Sequence, residues 1–148
     1  MDLITRRNIA TILAAAAGVI CIFTIVSLII GGCRSVWTWG KTLFFFVTVT
    51  IPFGREIGSY WTDSHDSAPK KRYSWGLKGL DDPNGYRFIP TGFSFLALTL
   101  LIAGGVFLEM DYSAPFWGVL FLLGLVFSIV AVAFMIWTGC KIAKHNKQ

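Results

Sequence analysis

A chain of 148 residues that is 55% hydrophobic and only 14% charged, with a mean hydropathy of +0.65, has too little polar surface to be wetted on all sides; soluble domains carry about 25% charged residues. Its net charge of +5 lies beside apolar segments, where positive charge reports orientation and contact with anionic lipid, so no nucleic-acid partner is expected. The odd set of three cysteines, Cys21, Cys33 and Cys140, supplies neither a disulfide framework nor a CxxC motif.

The first apolar segment, residues 9–30, contains no charge. As a helix it spans about 33 Å, enough for a hydrocarbon core of about 30 Å. Gly31 and Gly32 follow and end it. Arg6 and Arg7 before it resemble the start of a signal peptide, and Ile30-Gly31-Gly32-Cys33 resembles a lipoprotein cleavage box. The apolar run exceeds the 7–15 residues of a signal core, so the segment is expected to remain as a span. The second segment, residues 37–53, is the weakest. It carries Lys41 early and Pro52 at its far end. Lys41 is tolerated if its stem reaches back to the headgroups. A re-entrant half-helix over residues 42–53 is the alternative.

The third segment is residues 89–108 and the fourth is residues 114–138. Pro90 and Pro115 occupy their first turns, where a missing amide proton costs nothing. Glu109, Met110, Asp111, Tyr112 and Ser113 alone separate these segments, and so short a connection forces an antiparallel pair. Segments one and two are joined as tightly. The chain is therefore read as an all-α integral membrane protein: one membrane domain of four transmembrane helices in two antiparallel hairpins, linked by a polar central loop over residues 54–88. A β-barrel is excluded, because the segments lack alternation and are far longer than barrel strands of about ten residues.

Four spans place both ends and the central loop on one side. That side holds eleven of the thirteen lysines and arginines, leaving Arg34 and Lys41 opposite. The positive-inside rule makes it the cytoplasmic side, and the location expected is a plasma membrane, a bacterial inner membrane. Trp37, Trp39, Tyr112 and Trp117 fall at the outer boundary, Tyr60, Trp61 and Trp137 at the inner one. Tyr73, Trp75 and Tyr86 belong to the loop. Small residues mark three possible seams: Ala10, Ala14 and Gly18, widened by Ala17 and Cys21; Ser94, Ala97, Leu101 and Gly104; and Gly124, Ser128 and Val132, with Ala131 beside them. Leu43, Phe44, Phe45, Phe46 and Val47 surround helix two with bulk, and Thr48 and Thr50 are expected to bond their own i−4 carbonyls.

Chemistry is sparse. Apart from Lys41 the spans hold no ionisable acid, base or histidine, which argues against a proton-coupled carrier. Asp63, Ser64, His65 and Asp66 contain the residue types of a hydrolase triad, but triads are assembled from distant positions. As metal ligands they lack a second histidine or a cysteine pair. They are read as a wet turn and His145 as a solvated tail residue. Asp81, Asp82, Pro83, Asn84 and Gly85 are a tight-turn sequence. No catalytic, cofactor-binding or metal-binding residue is expected, and the protein is not expected to be an enzyme. Lys70, Lys71 and Arg72 are a basic run suited to anionic headgroups. The expected partners are other integral membrane proteins and lipid. The leading functional reading is a non-catalytic subunit or assembly factor of a larger membrane complex. The alternative is a small homo-oligomeric transporter or channel.

Overall fold

The computed structural model describes residues 3–32, 34–63, 71–72, 80–81, 86–109 and 115–147. It contains α1 (Leu3–Ile30), α2 (Val36–Asp63), β1 (Lys71–Arg72), β2 (Leu80–Asp81), α3 (Phe88–Glu109) and α4 (Pro115–Lys147). All four helices include a stretch long and apolar enough to cross a membrane, and the protein is an all-α, four-span membrane protein. β1 and β2 form a two-residue antiparallel ladder pairing Lys71 with Asp81 and Arg72 with Leu80.

Local chemistry sets the helix ends. Gly31 and Gly32 donate to the carbonyls of Ser27 and Ile29. Gly32 has a φ of +67°, the left-handed closure that glycine adopts without a Cβ penalty. Ser35 caps α2: its hydroxyl accepts a bond from the Thr38 amide at 3.3 Å.

Two sequence expectations about helix two change. Pro52 lies inside α2, and the helix continues to Asp63, so residues 54–63, read as the start of the loop, are helical. Nor is α2 a re-entrant half-helix; its 28 residues are continuous, about 42 Å at 1.5 Å per residue. A proline is admitted in a membrane helix because hydroxyl side chains and local adjustment re-satisfy the backbone. Pro52 leaves the Thr48 carbonyl without its helical donor; the Thr48 hydroxyl separately donates to the Phe44 carbonyl at 2.7 Å, as expected for that residue.

The centre of the molecule is α3. It buries 67% of its span inside the chain, whereas α1, α2 and α4 bury 17%, 11% and 11%. It packs on all three other helices, and α1 lies more against α3 than against α2. Phe95, Leu96, Ala97, Leu100, Ala103, Val106 and Phe107 are buried along its length. The order of contacts gives directions. Gly92 meets Ala10 and Leu13, and Phe107 clusters with Leu28, so α1 and α3 are parallel. Gly104 meets Phe121, Gly124 meets Leu101 and Tyr86 meets Trp137, so α4 is antiparallel to α3. Phe53 packs on Phe95 and Glu56 on Arg87, while Lys41 and Phe45 lie beside Leu101 and Val106, so α2 is antiparallel too.

Small residues let these backbones approach, as packing without a hydrophobic drive requires. Two of the three seams differ in detail from the sequence pattern. On α1 the contact runs through Ala10 and Ala17, both fully buried. Gly18 has no atom within 4 Å of where a Cβ would sit. On α4 it runs through Gly124 and Ala131, while Val132 is exposed. The α3 seam through Ala97, Leu101 and Gly104 does meet α4. Phe93 adds to it, stacked on Phe127 at 5.9 Å and Phe134 at 5.4 Å.

Candidate functional site

Helix directions bring the start of α1, the end of α2, the start of α3 and the end of α4 together at one end of the bundle, the loop end. Polar contacts there tie all four helices. Arg6 places its guanidinium carbon 4.2 Å from the Tyr86 ring centroid, and Arg7 does the same 3.9 Å from the Trp61 ring. The Trp61 indole N–H donates to Thr11 Oγ1 at 2.8 Å. Arg7, Thr11 and Trp61 thus staple α1 to α2. Tyr86 packs edge-on against Trp137 at 5.5 Å, and Thr138 Oγ1 donates to the Tyr86 carbonyl at 3.0 Å. The turn before α3 is thereby bound to α4. Cation–π contacts gain strength when the cation is partly desolvated, and the boundary of a membrane supplies that setting.

Arg87, with its side chain 5% exposed, sits 3.7 Å from the carboxylate of Glu56, which is 26% exposed. Removal of a guanidinium from water is costly without a compensating partner, so this pair fixes α2 against the start of α3. The Arg87 carbonyl also accepts bonds from the amide and hydroxyl of Thr91.

Within the spans the polar side chains turn inward on their own helices. Thr24, Thr42, Thr91, Ser94 and Ser128 each donate to the carbonyl four residues earlier. They therefore line no polar path. Thr99 differs: its hydroxyl is fully buried and bonds no carbonyl, and the polar groups it faces include the Cys21 thiol of α1. Lys41 leans back along α2, its ammonium 6.0 Å from the centroid of Trp37, as a cation seeking the headgroup layer should.

The loop-end cluster was only partly visible in the sequence. Trp61 and Trp137 lie together at the loop end, and Tyr86, read as a loop residue, is part of the same packed end. Glu56 carries no motif, and its pairing with Arg87 bridges 31 residues. Ser64, His65, Asp66, Lys70, Asp82, Pro83, Asn84, Gly85, Met110, Asp111, Tyr112, Ser113 and Cys33 lie outside the described residues, as do the side chains of Asp63, Lys71, Arg72, Trp117 and His145. Among the described residues no group of three or more His, Cys, Asp or Glu side chains gathers as a metal site. No protein-family model, curated protein or solved structure matches the chain.

Proposed function

We propose that the chain is a non-catalytic, multi-pass subunit or assembly factor of a larger membrane protein complex. We place it in a bacterial inner membrane, with the loop end in the cytoplasm. The observation that carries this reading is the uneven burial of the helices. With α3 enclosed, α1, α2 and α4 keep more than four fifths of their spans outside the chain's own core. A 16.4 kDa protein built so presents three long helix faces to its neighbours. Such faces brace other membrane helices through shape and small-residue contact. The loop end presents Arg6, Arg7, Arg55, Arg87, Lys141 and Lys144, against Arg34 and Lys41 at the other, which supports the cytoplasmic assignment. We further propose that the basic run Lys70, Lys71 and Arg72 binds anionic headgroups.

A homo-oligomeric channel is the competing reading. Because α3 fills the middle of the bundle, its pore would have to run between copies. Extraction from native membranes in mild detergent, followed by sizing and mass spectrometry, separates the two. The expected result is a particle containing at least one different integral membrane protein in fixed ratio to this chain. Particles made only of this chain, monomeric or oligomeric across several mild detergents, contradict the proposal.

A further inference from the structure

Three helices surround α3 unevenly. Among the described residues the α4 backbone approaches neither α1 nor α2, and between α2 and α4 a lateral groove runs along α3, where Leu98 is exposed. The α3 face along it carries Ser94, Leu98, Leu101 and Gly105, spaced four, three and four residues apart and so aligned along the helix. Two hollows open over it. The one nearer the loop end, about 260 Å³, lies between Phe53 of α2 and Ser128, Val132 and Met135 of α4. The other, about 300 Å³, lies beneath Lys41 and Phe45 of α2 and over Leu101, Ile102 and Gly105.

We propose that this groove holds one acyl chain of an anionic phospholipid, with the Lys41 ammonium binding its phosphate. Three observations favour that occupant. The floor is apolar in effect, since Ser94 and Ser128 donate their hydroxyls to the carbonyls of Pro90 and Gly124. Ser94 to Gly105 measures about 16 Å along the helix, close to half of a hydrocarbon core of about 30 Å, which is the depth of one leaflet. Lys41, the charged side chain among those lining the two hollows, stands at the groove's far end. Its lean toward Trp37 puts the ammonium at headgroup depth.

The site stands whether or not the chain serves in a larger complex.

The test uses the full chain reconstituted in vesicles of equal phosphatidylcholine and phosphatidylglycerol, extracted mildly and weighed by native mass spectrometry. One phospholipid is expected to remain bound per chain. Phosphatidylglycerol should be retained in roughly fivefold excess, the preference one basic group confers at a membrane surface. Lys41→Gln should bring the two lipids to parity. A Cβ at Gly105 meets no atom within 4 Å, so Gly105→Leu fills the hollow without disturbing the backbone. It should release lipid of either kind at unchanged helicity by circular dichroism. The proposal is overturned if no lipid is retained, if wild type shows no headgroup preference, if Lys41→Gln keeps it, or if a second polypeptide is bound in place of lipid.

Discussion

Gly104→Ala is expected to destabilise the folded protein by about 1–3 kcal/mol, the usual cost of overpacking a close-fitted interior. Gly105→Ala, one residue on, should be neutral or stabilising. A Cβ at Gly104 would stand 2.7 Å from the Phe121 amide nitrogen and 2.9 Å from its Cα. Both are backbone atoms of α4 and cannot rotate aside, so the whole helix must move. Movement there loosens the contact between α3 and α4 that Gly124, Phe93 and Phe127 also serve. At Gly105 the added methyl meets open space, and alanine's better helix propensity, worth up to about 1 kcal/mol, is felt without a clash. Reversible unfolding in mixed micelles, followed by circular dichroism, checks both. Equal stabilities for the two variants would mean that α3 and α4 are not in contact at that point.

The second large effect concerns the buried cation at the loop end. Glu56→Ala should cost about 2–3 kcal/mol, somewhat less than the 3–5 of a fully buried pair because Glu56 is partly exposed. Arg87→Met should cost less, about 1 kcal/mol, although it removes the more buried residue. The asymmetry has a simple cause. Deleting the carboxylate leaves a guanidinium that is 5% exposed without its facing negative charge. Replacing the guanidinium by an apolar chain of similar length leaves Glu56 able to turn toward water. The same unfolding measurement on both variants and the double variant gives the coupling. Arg87→Met proving the more damaging change would contradict the burial assigned to this pair.

The existence of four spans was legible because charge is nearly absent from residues 9–30, 89–108 and 114–138, and lipid admits a long apolar run only as a helix. Antiparallel neighbours followed from the short connections. The central position of α3 was harder to read. In water an apolar stripe points to the core, but in lipid both the buried and the outer faces of a helix are apolar, so periodicity does not mark the inside. A signal was nonetheless present. Thr91, Gly92, Ser94, Ala97, Thr99, Ala103, Gly104 and Gly105 make α3 a helix with small residues on several sides, which suits a helix that must admit three neighbours.

The length of α2 was misjudged for a related reason. Pro52 and Gly54 punctuate soluble helices, yet both sit within this one. The ties between Arg87 and Glu56, Arg7 and Trp61, and Arg6 and Tyr86 depend on residues 31 to 80 positions apart. Only the packed bundle brings them together.

Four crossings with the loop end on the cytoplasmic side are tested most directly by thiol labelling. In a chain with Cys21, Cys33 and Cys140 replaced by serine, single cysteines at Ser35, Ser67 and Lys144 are each exposed to a membrane-impermeant maleimide on intact cells. Labelling is predicted at position 35 without permeabilisation, and at positions 67 and 144 only after it. Reaction of position 67 or 144 in intact cells would contradict the topology.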